Sequence, residues 1–186
     1  MNENQIHNIQ RIMHDNVKFN VSLKKHTTFG IGGLASCIAK PRTKNELKSL
    51  LNLANKNKIK TVFMGSGSNV LAHDRGFDGI IITLKNTFKN LEIRNKSILA
   101  ESGVMLGTMV KEALKNNFEG LESLIGVPGT IGGAIKMNAG AYGSEISNLL
   151  HSIIIMDQYG VEKKYLKNDI FFDYRHSSIK NNHIII

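Results

Sequence analysis

The sequence predicts an α+β fold built from two small lobes that share one cleft. The length, 186 residues, suits one good core or two small lobes. Strand and helix patterns alternate between residues 21 and 85, and strand patterns surround a single clear helix pattern between residues 86 and 186. We therefore predict a small α/β lobe over residues 21–85 and a strand-rich lobe over residues 86–186, with residues 1–20 as an N-terminal extension.

One helix is clearly marked in the first lobe. Thr43 and Glu46 have the spacing of a capping box, in which the Thr hydroxyl caps the first turn. The apolar residues that follow recur on one helical face until polar residues end the pattern near Asn57; they are Leu47, Leu50, Leu51 and Ala54. Apolar runs bounded by polar or turn residues predict strands over residues 35–41, 60–64 and 79–84. Residues 1–20 carry only a weak helical pattern.

The second lobe has an amphipathic helix pattern between residues 106 and 114. We predict a hairpin around Asn95 and Lys96, and a second strand pair, residues 152–156 with 161–165, around a turn. Residues 184–186 look like the start of a buried strand. Because folded domains seldom stop within a strand, we expect the complete protein to continue beyond this point.

The chain is basic, with a net charge of +9 and a pI of about 9.7. A nucleic-acid-binding domain is one interpretation of this charge. However, the lysines are scattered, and neither a nucleic-acid motif nor interleaved aromatic residues accompany them. A solvated surface with a modest attraction for an anionic small substrate fits better, so we expect no nucleic-acid partner.

Composition also bears on the compartment. No apolar run is long enough to cross a bilayer, and the N-terminus lacks the apolar segment of a signal peptide. Cys37 is the single cysteine, which excludes an internal disulfide framework, and its apolar surroundings indicate a buried thiol rather than a nucleophile. No set of His, Cys, Asp and Glu residues has metal-ligand spacing. We expect a cytoplasmic monomer with no metal and no membrane partner.

Two glycine-rich stretches indicate a ligand that approaches the backbone closely. The longer stretch begins at Gly126 and runs through Gly133 to Gly143, a glycine density that a core helix or strand would not tolerate. Backbone N–H groups in such loops commonly hold phosphate, although neither a Walker A loop nor a GxGxxG fingerprint is present. The shorter stretch, residues 65–69, follows a predicted strand, and by itself an ordinary turn explains it equally well.

Six short motifs occur in a fixed order along the chain. They are Thr28-Phe29-Gly30 with Gly33, Gly65-Ser66-Gly67-Ser68-Asn69, Gly120-Leu121-Glu122, the loop from Gly126 to Ala134, Met137-Asn138-Ala139-Gly140-Ala141-Tyr142-Gly143 with Glu145, and Tyr174-Arg175 with Ser177. This ordered set, spanning residues from about 20 to 186, resembles that of the UDP-N-acetylenolpyruvoylglucosamine reductases, also called UDP-N-acetylmuramate dehydrogenases. These are FAD enzymes of bacterial peptidoglycan synthesis. The resemblance implies the two-lobed FAD-binding fold of the vanillyl-alcohol-oxidase (PCMH) type.

The resemblance also implies which residues hold the tightly bound FAD. The first loop would bind the pyrophosphate, the second would wrap the flavin and its phosphate side, and a third group would line the isoalloxazine end. These residues are Gly65, Ser66, Gly67, Ser68 and Asn69; then Gly126, Pro128, Gly129, Thr130, Gly132 and Gly133; and then Asn138, Gly140 and Ala141. The alternative for Gly132 and Gly133 is a tight turn between strands.

Arg175 is the residue that the resemblance implies for catalysis. In this family, hydride passes from NADPH by way of FAD to the enolpyruvyl double bond of UDP-N-acetylglucosamine-enolpyruvate, and a proton completes the lactyl group of UDP-N-acetylmuramate. A planar guanidinium suits the substrate carboxylate and the negative charge that develops there. The alternative is a surface arginine in a turn.

The sequence departs from the family at its C-terminal end. Complete members continue into a substrate-binding domain that supplies a general-acid serine in a Gly-Ser-x-Phe context and a late glutamate, and neither context is present. We expect impaired turnover, since a missing general acid costs roughly 10²- to 10⁴-fold in rate. The interpretations are therefore a reductase whose sequence stops early, an FAD-binding module without reductase activity, and, on charge alone, a nucleic-acid-binding domain.

Overall fold

The computed structural model describes residues 1–186. The four α-helices are α1 (Glu3–Met13), α2 (Lys44–Lys56), α3 (Leu106–Lys115) and α4 (Ile131–Lys136). The strands are β1 (Val17–Ser22), β2 (Leu34–Ala39), β3 (Thr61–Phe63), β4 (Phe77–Ile82), β5 (Leu91–Arg94), β6 (Ser97–Ala100), β7 (Gly140–Ala141), β8 (Ser144–Glu145), β9 (Ser152–Met156), β10 (Glu162–Leu166), β11 (Phe172–Asp173), β12 (His176–Ser177) and β13 (Ile184–Ile185). The longest helix has 13 residues, and none is both long and apolar enough to cross a membrane.

The first lobe is a four-stranded sheet in the order β1-β2-β4-β3. Strands β2 and β3 both run parallel to β4, which lies between them, and α2 connects β2 to β3. This is the predicted βαβ arrangement, and it brings the carboxyl ends of β3 and β4 to the same edge of the sheet. The chain segments that leave these two ends build one wall of the candidate site.

Helix α2 forms as its sequence pattern predicts. The Thr43 hydroxyl accepts a hydrogen bond from the Glu46 N–H at 3.1 Å, and the predicted apolar face of the helix is buried. The capping box is only half formed, because the Glu46 carboxylate accepts from the N–H of Arg42, at 2.7 Å, instead of from Thr43. Both bonds still satisfy N–H groups at the start of the helix.

The first 20 residues, expected as an extension, contribute a helix and a strand to the first lobe. Helix α1 packs on α2, and its Ile9 and Met13 side chains are fully buried. Strand β1 pairs antiparallel with β2 from Val17 to Ser22. A capping box between Asn2 and Gln5 fixes the start of α1. This sequence signal was overlooked because the apolar pattern of the segment is weak.

Cys37 lies in the core beneath α1 and α2 and is fully buried. Burial raises the pKa of its thiol to about 12, because the thiolate would lose its hydration. The interpretation of Cys37 as a buried core thiol is confirmed.

The second lobe contains the antiparallel sheet β10-β9-β13, the hairpin β5-β6 and helix α3. The predicted hairpins and the strand at Ile184–Ile185 are confirmed, and α3 buries its predicted apolar face. Met156 and Ile184, both in this sheet, also pack into the core under α1 and α2. The two lobes are thus joined by a continuous apolar seam.

Candidate functional site

The two glycine-rich loops meet across the boundary between the lobes. The loop of residues 65–69 follows β3, and the Ser68 hydroxyl donates a 2.9 Å hydrogen bond to the Pro128 carbonyl oxygen in the second loop. A Cβ atom at Gly65 would lie only 2.5 Å from the Thr130 hydroxyl oxygen. Glycine at this position is therefore what allows the two loops to come together.

The first loop presents a row of unused backbone donors. None of the N–H groups of residues 65–69 donates a hydrogen bond within the chain. In the second loop the N–H groups of Gly126, Gly129 and Thr130 are also without a partner in the chain. Adjacent N–H groups of this kind, in a loop with few side-chain atoms, form a concave site for an anion such as phosphate.

Gly132 and Gly133 are part of a helix, so the alternative of a tight turn between strands is wrong. They lie in the first turn of α4, where the Gly132 N–H donates to the Ser102 carbonyl at 2.9 Å and the Gly133 N–H to the Thr130 hydroxyl at 3.4 Å. A Cβ atom at Gly132 would lie 2.9 Å from the Ser102 Cβ. Their N–H groups are therefore used within the protein, and the glycines serve close packing.

Gly67 anchors the first loop to the segment before β2. Its φ of +78° is the left-handed conformation that glycine adopts without strain. The Gly67 carbonyl accepts from the Thr28 N–H at 3.1 Å, and a Cβ atom here would lie 1.9 Å from the His26 carbonyl oxygen. The loop conformation therefore depends on glycine at position 67.

An inter-lobe cavity of about 140 Å³ lies beside the meeting point of the loops. Its first-lobe wall is largely apolar, and its second-lobe wall comes from α4 and the segment before β13. The lining includes Phe63, Gly65, Ile82, Leu84, Lys85, Ser102, Thr130, Gly132, Gly133, Lys136, His183 and Ile184. The apolar wall of this cavity suits a flat heteroaromatic ring.

A second cavity, of about 210 Å³, lies on the other side of Gly65 and is called here the basic cavity. It is lined by Lys25, His26, Thr27, Thr28, Lys40, Met64, Gly65, Ser66, Thr83, Lys85 and Asn86. Every ionisable side chain that lines either cavity is a lysine or a histidine, and no carboxylate takes part. The surroundings of the first loop thus favour a negatively charged ligand.

Three groups in these cavities, His26, Lys136 and His183, have lowered pKa values. Burial, followed by the charges of Lys40, Lys18 and Lys85, lowers the pKa of His26. Burial also lowers the pKa of Lys136, whose ammonium group donates a hydrogen bond to the Ile179 carbonyl oxygen. Lys85 and Lys136, which reasoning from the sequence did not single out, therefore bring positive charge into the cleft from opposite lobes.

Arg175 lies in a different cluster, at the turn between β11 and β12. Its guanidinium donates a 2.8 Å hydrogen bond to the Gly140 carbonyl and lies 4.8 Å from the centre of the Tyr174 ring. It is exposed and does not line either cavity. Its φ of +53° is unusual for a residue with a side chain, and such conformations often occur at functional sites.

Helix α4 connects this cluster to the loops. It begins at Thr130 beside the first loop, and at its other end the Lys136 carbonyl accepts a 2.7 Å hydrogen bond from the Ser177 hydroxyl, two residues from Arg175. A six-residue helix is about 9 Å long. The structure therefore brings Gly140 and Arg175 together at the far end of α4 from the glycine-rich loops, and Ala141 follows Gly140 in the half-buried strand β7.

Asn138 is a correction to the expected site, because its side chain is 0% exposed and cannot line a cleft. Its amide donates to the Glu145 carboxylate at 2.7 Å and to the Asp173 carbonyl at 3.1 Å, and its amide oxygen accepts from the Ser147 N–H at 3.3 Å. This side chain ties the β7-β8 hairpin to the turn that carries Arg175. Its role in the structure is to position that turn.

Comparison with known proteins identifies the family. Residues 35–161, which include both glycine-rich loops, match the family described as FAD binding domain. The chain belongs to this FAD-binding family. FAD fits the residues present, since its two phosphates would meet unused N–H groups in surroundings that contain only basic ionisable side chains.

Individual relatives agree with the resemblance inferred from the motifs. The chain is 37% identical over 168 residues to a UDP-N-acetylenolpyruvoylglucosamine reductase of Clostridioides difficile, a match that covers 90% of this chain and 55% of the relative. The crystal structure of UDP-N-acetylenolpyruvylglucosamine reductase from Thermus caldophilus superposes with a TM-score of 0.76 at 32% identity, covering 89% of this chain and 58% of that one. The chain thus spans a little more than half the length of these relatives.

The fold itself is shared more widely. Berberine bridge enzyme superposes with a TM-score of 0.66 at 16% identity, covering 88% of this chain and 37% of that one. Similarity at this level shows the fold alone. The two-lobed FAD-binding fold of the vanillyl-alcohol-oxidase type, expected from the motifs, is confirmed.

Proposed function

We propose that this chain holds FAD in the cleft between its lobes and uses it to reduce UDP-N-acetylglucosamine-enolpyruvate to UDP-N-acetylmuramate with NADPH. The observation that carries the FAD assignment is the row of unused N–H groups at residues 65–69, in a loop that meets the second glycine-rich loop across the lobe boundary. The reaction is proposed from the relatives, which are named as reductases of this substrate.

The cofactor-binding residues and the catalytic arginine lie at opposite ends of α4. At the N-terminal end, the N–H groups of residues 65–69, Gly129 and Thr130 bind the pyrophosphate. The apolar wall of the inter-lobe cavity shields one ring system of the cofactor from water. When bound, FAD supplies the ability to pass a hydride from a nicotinamide to a carbon–carbon double bond.

Arg175 acts at the other end of α4. Its bond to the Gly140 carbonyl uses one N–H of the guanidinium, so other donors stay free for a carboxylate. A fixed positive charge at the enolpyruvyl carboxylate orients the substrate and stabilises the negative charge that develops during reduction. The contacts of Asn138 with Glu145 and Asp173 hold this turn in place.

An FAD-binding module without reductase activity is the second candidate, because the family match over residues 35–161 is to an FAD binding domain. Two assays on the purified chain separate the candidates. Retention of FAD through a desalting column tests cofactor binding. NADPH oxidation that requires UDP-N-acetylglucosamine-enolpyruvate supports the reductase, whereas bound FAD without this oxidation supports the module.

If the reductase assay is positive, Arg175→Lys tests the role of the guanidinium. We expect substrate-dependent NADPH oxidation to fall by roughly 10²- to 10³-fold, the usual range for losing a donor to developing negative charge. FAD retention should be unchanged. The matched control is Arg94→Lys, since Arg94 is also exposed but lies on the β5-β6 hairpin and pairs with Glu92. Equal activity of Arg175→Lys and wild type would contradict the assignment.

A further inference from the structure

Lys85 has a position that no other charged residue shares. It is the one ionisable side chain that lines both the inter-lobe cavity and the basic cavity, and these cavities meet at Met64 and Gly65. It follows β4 by three residues and is half-buried. Lys85 therefore belongs to the same wall of the cleft as Gly65, the first residue of the first glycine-rich loop.

A buried threonine links Lys85 to that loop. The Thr83 hydroxyl donates to the Gly65 carbonyl oxygen at 3.3 Å and accepts from the Lys85 N–H at 3.3 Å. Thr83 is only 4% exposed, so solvent does not compete with these bonds. Through this hydroxyl, the backbone of Lys85 is held in a fixed relation to the first residue of the loop.

The charge of Lys85 has no counterion within the protein. The chain's four ion pairs involve other residues, and the neighbouring ionisable groups in the two cavities are Lys25, His26, Lys40, Lys136, Lys180 and His183. Positive groups gathered in this way repel one another unless an anion joins them. Lys85 is half-buried and lines the same cavities as Gly65 and Ser66, whose N–H groups are unused, so a phosphate oxygen bound there would meet donors of both kinds.

We infer that Lys85 is the side chain that binds the pyrophosphate of FAD and that Thr83 positions it. This inference rests on the proposed FAD site and adds a positive charge to a loop that otherwise offers uncharged donors only. The ammonium supplies a positive point charge, and the loop N–H groups supply hydrogen-bond donors of fixed orientation. Lys85 then contributes to the salt dependence of FAD binding.

The test is a titration of the flavin-free chain with FAD, at low and high NaCl, using wild type, Lys85→Met and Lys85→Arg. We expect Lys85→Met to weaken FAD binding by roughly 10- to 100-fold and to flatten its salt dependence, since a hydrogen bond to a charged group is lost. Lys85→Arg should keep most of the affinity. The control is Lys89→Met, at an exposed position outside both cavities, which should bind FAD like wild type.

Inorganic pyrophosphate serves as the second probe, because a merely structural role of Lys85 would not change its binding selectively. Pyrophosphate should compete with FAD for the wild-type chain, and Lys85→Met should weaken both ligands by the same factor. Urea unfolding of the flavin-free variants checks that each is folded, with Lys85→Gln replacing the Met variant if that variant is not.

Three results would overturn the inference: FAD affinity of Lys85→Met within twofold of wild type, loss of FAD affinity with unchanged pyrophosphate affinity, or no competition between pyrophosphate and FAD. A wild-type chain that bound pyrophosphate through Lys85 but did not bind FAD would contradict the proposed function instead. That result would still support an anion-binding site at Lys85. A wild-type chain that bound neither ligand would contradict both.

Discussion

At the scale of single residues, Gly67 and Gly143 differ in a way that the sequence cannot express. Both have a left-handed backbone, with φ of +78° and +79°. A Cβ atom at Gly143 would meet nothing within 4 Å, whereas one at Gly67 would lie 1.9 Å from the His26 carbonyl oxygen. A glycine-rich motif shows that glycines are present but not which of them has no room for a side chain.

This pair gives a matched prediction. Gly143→Ala should cost about 1 kcal/mol of unfolding free energy, the usual penalty of a left-handed residue with a side chain. Gly67→Ala should cost about 1–3 kcal/mol more, because the added methyl group must displace backbone. It should also weaken FAD binding. Urea unfolding and FAD titration measure the two effects. Equal stability of the two variants would contradict the claim that the loop conformation depends on glycine at position 67.

Asn138 shows the limit of motif reasoning at the same scale. The family resemblance implied a residue that lines the isoalloxazine end of FAD, whereas the structure buries the side chain with its hydrogen bonds made to the protein. The same motif contains Tyr142, which is 97% exposed. Periodicity cannot separate the two, because the segment turns sharply at both positions, where φ is +43° and +51°.

At the scale of elements, the sequence predicted strands and helices with strong patterns and missed the short ones. Helices α2 and α3 follow from apolar periodicity, β9 and β13 follow from apolar runs, and β10 follows from the turn that pairs it with β9. Helix α4 was missed, since two of its six residues are glycine. Its start depends on tertiary bonds to Val104 and Ser102, which no local pattern reports.

The N-caps of α2 and α4 permit a comparison between two elements. Thr43 and Thr130 both accept a hydrogen bond from the backbone N–H three residues later. Thr43→Ala and Thr130→Ala should each cost about 1 kcal/mol in urea unfolding. Only Thr130→Ala should weaken FAD binding, because only Thr130 lines the inter-lobe cavity. Equal FAD affinity of the two variants would contradict the placement of the start of α4 at the cofactor site.

At the scale of the whole molecule, the charges around the cleft make stability depend on pH. Burial and neighbouring lysines lower the pKa of His26 below its ordinary 6.5, and burial and Lys180 likewise lower the pKa of His183. Below pH 6.5 the unfolded chain therefore takes up protons more readily than the folded one. The stability that these neutral histidines contribute is complete above that pH and is lost as the pH falls through their folded-state pKa values.

We therefore expect the urea midpoint of the flavin-free chain to fall between about pH 7.5 and about pH 5.5. His26→Gln should reduce this dependence, because one of the two groups no longer titrates. His151→Gln, at an exposed position outside both cavities, is the control. A midpoint that falls equally in wild type and His26→Gln would contradict the role given to His26.

The two lobes and their cofactor class could be predicted because they rest on ordered motifs and strong patterns. A shared cleft could be predicted as well, but its lining could not. The lining forms where segments far apart in the sequence meet: Gly65 with Thr130, Ser68 with Pro128, and Lys136 with Ile179. Lys85 and Lys136 gain their importance only from these contacts. Among 24 lysines and arginines, nothing local distinguishes them.

The central claim is that the N–H groups of residues 65–69, with those of Gly129 and Thr130, hold the FAD pyrophosphate. The most direct measurement is an amide ¹H–¹⁵N NMR spectrum of the chain titrated with FAD and, separately, with inorganic pyrophosphate. We predict that both ligands shift these amide signals more than those of the β5-β6 hairpin, which lies outside both cavities. Unchanged signals from residues 65–69 at saturating FAD would contradict the account.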